Sequence, residues 1–119
     1  MGKLLIILGI SPFQHELVGH CFQLARAAVE EGHNCTLFLF MDGVYNLLNT
    51  QNGDVFKVKT TNDEIDELMK LGVKVICCKL CSELRGVVGQ LKSQEVLAKG
   101  LGELNDELMD ADALLSFLG

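Results

Sequence analysis

Four short apolar runs constrain the fold of this chain more than any other feature of its sequence. They lie at Lys3–Leu8, Cys35–Phe40, Val73–Cys77 and Asp112–Leu118. Lys3–Leu8 is continuously apolar rather than alternating, which is typical of a central parallel strand covered on both faces. Val73–Cys77 is short and rich in β-branched side chains, which indicates a buried strand. We therefore predict that these runs pair into a mostly parallel sheet.

Helical patterns separate the predicted strands. In the first, Ser11 is the predicted N-cap, Pro12 the first helical residue and Gln14 the partner in a capping box. This helix should run to about Glu31 and end at Gly32. Its predicted inward face has helical spacing and consists of Leu17, Cys21, Leu24 and Ala28.

The later segments follow the same logic. Thr61 and Glu64 predict a second capping box and a helix through Lys70. Its predicted inward residues are Ile65, Leu68 and Met69, with Gly72 as the stop. The remaining predictions are a short helix at Val44–Asn49, a surface loop at Thr50–Lys59, a helical turn at Ser82–Arg85 ended by Gly86, a helix or turn at Val87–Leu91, a short helix containing Leu97 and Leu101, and a helix at Glu103–Met109.

Alternating strands and helices predict an α/β fold with three layers, α/β/α, around a mostly parallel sheet of about five strands. The length of 119 residues allows one domain with one core, so residues 1–119 form a single predicted domain. The carboxyl edge of such a sheet is where ligands and chemistry collect. Three predicted loops meet there: Gly9–Gln14, Met41–Tyr45 and Cys77–Cys81.

Composition excludes several classes of function. A net charge of −6 with scattered basic residues argues against a direct nucleic-acid surface. No apolar run approaches the roughly 18 residues that a membrane span requires, and Lys3–Leu8 is too short for the apolar region of a signal peptide. We therefore expect a cytoplasmic protein. Its five cysteines, an odd number, fit free thiols better than a disulfide framework.

Three of the cysteines, Cys77, Cys78 and Cys81, fall within five positions at the end of the third predicted strand. Cys77 is interpreted as an inward strand residue, whereas Cys78 lies at the strand end and is the predicted nucleophile. A helix N-terminus there, with Lys79 or Arg85 nearby, favours the thiolate. We accordingly expect the pKa of Cys78 to be lowered to about 7. Cys81 is one helical turn further on, and we expect the helix to carry it away from the strand end.

The other candidate groups have weaker support. His15 could face the cysteine loop and lower the pKa of a thiol, or it could simply be exposed. Ser11 and Gln14 could offer backbone N–H groups to an anion, although capping a helix suffices to explain them. Neither a G-x-G-x-x-G dinucleotide fingerprint nor a Walker A loop occurs in the chain. A second pair of zinc ligands is also missing at useful spacing, so we predict no metal and no organic cofactor.

The order and spacing of several motifs resemble the DsrE/DsrF-like sulfurtransferases, a family that includes the TusD-type subunit of the tRNA 2-thiolation relay. The resemblance covers nearly the whole chain. It rests on Ser11-Pro-Phe-Gln-His, Phe22-Gln-Leu-Ala25, Glu31-Gly-His33, Phe40-Met-Asp-Gly-Val-Tyr-Asn46, and Cys78 placed seven residues before Arg85-Gly86.

The resemblance implies a persulfide on Cys78 that accepts sulfane sulfur and passes it on. It also implies donor and acceptor proteins as partners, and a homo-trimer, a homo-hexamer or a hetero-oligomer of related subunits. The family pattern does not require Cys81, which leaves a resolving or redox role open. Two other functions remain alternatives: a thiol–disulfide redox module using Cys78 and Cys81, and a non-catalytic subunit of a DsrE-like assembly.

Overall fold

A computed structural model describes residues 2–91 and 100–118 of the chain. Within these ranges four strands form one sheet, not the predicted five. They are β1 (Lys3–Leu8), β2 (Asn34–Leu39), β3 (Lys74–Cys77) and β4 (Ala113–Phe117). Their order is β3-β2-β1-β4, and all three pairings are parallel. The predicted α/β class with a parallel sheet is therefore confirmed.

Four α-helices accompany the sheet within the described ranges: α1 (Leu17–Glu30), α2 (Thr61–Lys70), α3 (Lys79–Leu84) and α4 (Leu101–Asp110). Helices α1 and α2 contact each other and the sheet, so they share one face. The strands β1, β2 and β3 are added to the sheet in one direction. The direction then reverses, because β4 pairs with the other edge of β1. A right-handed crossover places α4 on the opposite face, which completes the three layers.

The core lies around the two central strands. Leu5, Ile6, Leu37 and Phe38 are essentially inaccessible, which means that both faces of β1 and β2 are covered. This is the burial that a continuous apolar run requires. The edge strand β4 differs, because none of its residues is buried. No helix in the described ranges is long and apolar enough to cross a bilayer.

Helix α1 starts later than its sequence predicts. It begins at Leu17, because Phe13 adopts a left-handed φ of 61° that a helix does not accommodate. The predicted capping role of Ser11 is therefore wrong. Of the predicted inward residues Cys21 is fully buried, Leu17 and Ala28 are partly buried, and Leu24 is 41% exposed, which contradicts its prediction.

Helix α2 has a capping box one residue earlier than predicted. Thr60 accepts the N–H of Asp63 through its side chain, and Asp63 accepts the N–H of Thr60, both at 3.2 Å. Ile65 and Leu68 are buried as expected. Gly72 follows with a φ of 107°, the left-handed conformation typical of a residue that ends a helix.

The remaining elements differ mainly in their bounds. The predicted Val44–Asn49 helix is a 3-10 helix over Met41–Leu47, and Val88–Gln90 forms a second one. Helix α3 starts at Lys79 and is followed by Gly86 at a φ of 69°. Helix α4 covers the predicted Glu103–Met109. Of the predicted short helix containing Leu97 and Leu101, Leu97 lies outside the described ranges, whereas Leu101 is the first residue of α4.

Candidate functional site: a buried cysteine cluster at the carboxyl edge

The loops after β1 and β2 are joined at the carboxyl edge of the sheet by one buried amide. The side-chain nitrogen of Asn46 donates to the carbonyl oxygens of Ile10 and Gly43, each at 2.9 Å. Asn46 is fully buried. The segment after β2 also approaches the end of β1 closely at Gly43. A Cβ at this position would overlap the Leu8 carbonyl oxygen, so no side chain fits there. The two loops therefore form one rigid wall beside the end of β3.

Cys78 is the first residue after β3, as the sequence predicts. Its backbone N–H donates to the Leu39 carbonyl oxygen at 2.9 Å, which continues the pairing with β2 for one more residue. Its extended backbone makes it the N-cap of α3. The Cys78 sulfur accepts the backbone N–H of Cys81 at 3.4 Å. The strand end and the first helical turn therefore hold this sulfur in place.

The electrostatics of Cys78 differ from the expectation. Burial raises the pKa of Cys78 above its ordinary value, while the backbone N–H groups of Cys81 and Leu80 lower it by less. The side chain is fully buried, so the loss of hydration outweighs the N–H donors. The predicted low pKa is therefore wrong for this closed arrangement, in which the thiol is protonated at neutral pH.

Cys81 stays at the site instead of being carried away from it. Its sulfur accepts the backbone N–H of Met41 at 3.2 Å, although Cys81 lies in α3 and Met41 begins the 3-10 helix after β2. Met41 has a φ of 52°, uncommon for a residue with a side chain, and its N–H reaches the sulfur in that conformation. The structure thus brings together two buried thiols, Cys78 and Cys81.

Cys77 takes part in packing, as its position in the strand suggests. It is fully buried, and its sulfur lies 3.4 Å from the Ser82 hydroxyl oxygen. That hydroxyl donates to the Cys78 carbonyl oxygen at 2.8 Å. Burial raises the pKa of the Cys77 thiol to about 11, against a smaller lowering by Ser82. Cys77 therefore packs within the core.

The side chain of Arg85 connects α3 to the segment that follows β2. Its Nε pairs with an Asp42 carboxylate oxygen at 2.8 Å, and a terminal nitrogen donates to the Cys81 carbonyl oxygen at 3.3 Å. This ion pair links the end of α3 to the loop that holds Met41. Lys79, in contrast, is exposed on the first turn.

Ser11, Gln14 and His15, the candidate residues of the loop after β1, make local hydrogen bonds and none with the cysteines. Ser11 donates from its hydroxyl to the side-chain oxygen of Gln14, so the two residues close a local turn. His15 is exposed, and its Nδ1 accepts the N–H of Leu17 at 3.1 Å. It lines a groove between α1 and α2 that also includes Arg26 and Lys59. This groove is also lined by Glu16 and Glu64, and none of the described residues that line it is a cysteine.

Sequence reasoning placed the Met41–Tyr45 loop at this edge but did not assign the individual roles of Met41, Asp42 and Asn46. A signal existed, since all three follow β2 at the edge where the loops were expected to converge. Which backbone N–H meets a sulfur depends on tertiary packing, however, and no spacing rule predicts it. Within residues 2–91 and 100–118, no group of three or more His, Cys, Asp or Glu side chains is arranged to hold a metal ion.

Solved structures share this fold. The crystal structure of the ychN protein from E. coli superposes with a TM-score of 0.87 at 27% identity, covering 98% of this chain and 100% of that one. A conserved protein of unknown function from Bacteroides thetaiotaomicron superposes at 0.68 with 18% identity, covering 98% and 95% of the two chains. At that lower identity the likeness shows the fold alone.

Sequence comparison agrees with the structural likeness. A protein from Allochromatium vinosum named "Putative sulfurtransferase DsrE" is 27% identical, over 97% of this chain and 98% of its own length. The model of the DsrE/DsrF-like family matches residues 2–117. With the fold and nearly the whole sequence in agreement, the chain belongs to the DsrE/DsrF-like family.

Proposed function

We propose that this protein is a sulfur carrier in which Cys78 accepts sulfane sulfur as a persulfide and passes it to a partner protein. The family match and the relative named as a sulfurtransferase support sulfur transfer in general. The observation that carries the finer proposal is the position of Cys78 at the end of β3, with its sulfur held by the Cys81 N–H.

The reaction needs only thiol chemistry. The Cys78 thiolate attacks the outer sulfur of a donor persulfide, R–S–SH, which gives Cys78–S–SH and releases R–S⁻. An acceptor thiolate then attacks the outer sulfur of the Cys78 persulfide and restores the Cys78 thiolate. Atoms and electrons balance in both steps, so the proposal uses no metal, nucleotide or organic cofactor.

Burial implies that transfer requires an opening of the site. Cys78 is fully buried and its raised pKa keeps it protonated while the site is closed. Exposed apolar side chains of Met41, Leu80 and Leu84 lie on the 3-10 helix after β2 and on α3, the elements that adjoin Cys78. We propose that donor and acceptor proteins dock on these residues and favour the open site, so that transfer with a docked partner is faster than loading from a free small-molecule donor.

Both tRNA 2-thiolation and sulfur oxidation are compatible with such a carrier. The net charge of −6 favours protein partners over direct contact with nucleic acid. We place the carrier in the cytoplasm, where thiols stay reduced.

We also propose that the chain assembles into a homo-trimer or homo-hexamer, or with related subunits. Neither α4 nor β4 has a buried residue in the single chain. Their side of the molecule exposes Leu101, Leu108, Met109, Leu114, Leu115 and Leu118. Apolar side chains left exposed on a helix and on an edge strand are candidates for burial against another subunit. Light scattering of the purified chain should give three or six times 13.0 kDa, and a 13.0 kDa particle at micromolar concentration would contradict the homo-oligomer.

Loading with glutathione persulfide tests the carrier function. Soon after mixing, we expect the wild-type chain to gain one sulfur atom by intact mass, and peptide mapping should place it on Cys78. Cys78→Ser should gain none, because serine cannot form a persulfide. Cys77→Ala is the matched control, since it removes the adjacent buried thiol and should load normally. Sulfur found on another cysteine, or on none, would contradict the proposal.

The second candidate is a dithiol redox module, which the contact between Cys78 and Cys81 favours. It predicts the loss of two hydrogen atoms on mild oxidation without sulfur uptake from a persulfide donor. A non-catalytic subunit of a DsrE-like assembly predicts neither change. The same mass measurement therefore separates all three functions.

A further inference from the structure

Cys81 is a buried nucleophile that the transfer reaction itself does not use. Its backbone N–H reaches the Cys78 sulfur at 3.4 Å, and the two residues lie one helical turn apart. Helix geometry separates residues three apart by about 5 Å between Cα atoms. Disulfides span about 4.4–6.8 Å between Cα atoms. The spacing of Cys78 and Cys81, at the N-cap and in the first turn of α3, is therefore of the order that a disulfide spans.

Neither the adjacent thiol nor the more distant ones offer the same geometry. Cys77 directly precedes Cys78 in extended chain, where successive side chains point to opposite faces of the sheet. Its sulfur contacts Ser82 instead. Cys21 and Cys35 are buried on α1 and β2. Cys81 is thus the thiol placed to react with a group carried on Cys78.

The surroundings of Cys81 hold its sulfur at the site. The Met41 N–H donates to this sulfur at 3.2 Å, and such a bond strengthens when the acceptor carries negative charge. The ion pair between Arg85 and Asp42 fixes the loop that supplies this N–H. A second bond, from Arg85 to the Cys81 carbonyl oxygen, fixes the helical turn. A sulfur held in this way is pre-organised for an intramolecular reaction.

We propose that Cys81 is a resolving thiol that discharges the Cys78 persulfide when no acceptor takes its sulfur. This inference rests on the proposed function. The Cys81 thiolate attacks the inner sulfur, the Cys78 Sγ, and forms the Cys78–Cys81 disulfide. The bond from Cys78 Sγ to the outer sulfur breaks, and the outer sulfur leaves as hydrosulfide, HS⁻. The two cysteines are oxidised and the sulfane sulfur is reduced, so no external oxidant is needed.

The discharge has a chemical consequence for the carrier. The disulfide form cannot accept another sulfur until a thiol reductant returns both cysteines to thiols. An acceptor that docks and attacks the outer sulfur competes with Cys81, which attacks the inner one. The persulfide therefore persists only for the time that the intramolecular reaction requires, which limits sulfur delivery to acceptors that are already bound.

Persulfide lifetime tests the inference. The wild-type chain and Cys81→Ser are loaded with inorganic polysulfide, the excess is removed by gel filtration, and intact mass is followed without reductant. In the wild-type chain, loss of the added sulfur should coincide with loss of two hydrogen atoms and release of one hydrosulfide. In Cys81→Ser the persulfide should last at least about tenfold longer. Cys77→Ser is the matched control and should discharge as the wild-type chain does.

The possible results are distinguishable. Sulfur that loads on Cys78 and persists equally in the wild-type chain and Cys81→Ser, without a disulfide, overturns the resolving role and leaves the carrier function intact. No sulfur on Cys78 in either chain overturns both. Circular dichroism reports folding of each variant. If Cys81→Ser is unfolded, Cys81→Ala replaces it, because alanine leaves no unsatisfied hydroxyl in the buried position.

Discussion

The Gly43→Ala substitution is expected to destabilise the protein by about 3 kcal/mol or more. An alanine Cβ at this position would overlap the carbonyl oxygen of Leu8, which is a backbone atom and cannot rotate away. Nor can β1 shift easily, since it pairs with β2 on one side and β4 on the other. Urea unfolding measures the free-energy difference between wild type and variant.

The same substitution elsewhere provides the control. Gly19 lies within α1, and an alanine Cβ there would have open space around it, with no packing neighbour within 4 Å. Gly19→Ala should therefore stabilise the protein by about 0.5–1 kcal/mol, since alanine favours a helix over glycine. A Gly43→Ala protein as stable as the wild type would show that the loop after β2 does not pack tightly on the end of β1.

Alkaline pH should have an effect of at least similar size, because three cysteines whose pKa values are raised by burial lie in the core: Cys21, Cys35 and Cys77. Burial, and less strongly the negative charge on Cys35, raises the pKa of Cys21 to about 12 from an ordinary 9.0. Burial raises the pKa of Cys35 and that of Cys77, each to about 11. These thiols ionise in the unfolded chain first, so unfolding releases protons. The protonated thiols contribute their full stabilisation below about pH 9, the ordinary pKa of the unfolded chain. This stabilisation is lost as the pH rises from about 9 to the raised pKa values of about 11 or 12 in the folded chain.

By pH 10 the loss should be about 1.4 kcal/mol for each of the three thiols. Urea unfolding between about pH 8 and pH 10 measures it. Cys21→Ala should lower the pH dependence by the share of that one thiol. Val18→Ala is the matched control, because it removes a buried side chain from the same helix without removing a titrating group. An unchanged pH dependence in Cys21→Ala would exclude this thiol as the cause.

Much of the fold follows from local pattern. The continuous apolar runs at β1 and β2 predict strands buried on both faces, and Leu5, Ile6, Leu37 and Phe38 are buried in the structure. Prediction was less accurate at element ends. Helix α1 begins after Phe13 and not at Ser11, because a single left-handed residue interrupts the chain where capping rules favour a helix.

The functional site likewise has properties that follow from local sequence and properties that depend on tertiary packing. The position of Cys78 at a strand end is a local property, and the structure places the residue there. Its pKa is not local, because the pKa depends on how completely the surrounding loops exclude water. The expectation of a lowered value counted the helix N–H groups and left out the burial, which is the larger effect.

What the sequence by itself determined is the order of strands and helices, the parallel sheet and the arrival of three cysteines at its carboxyl edge. These depend on periodicity, composition and turn residues that act over a few positions. Only the tertiary structure decided that the Met41 N–H binds the Cys81 sulfur, that Asn46 joins two loops and that Cys78 is closed off from water. Those contacts connect residues up to forty positions apart, and such distances are set by packing, which no local pattern encodes.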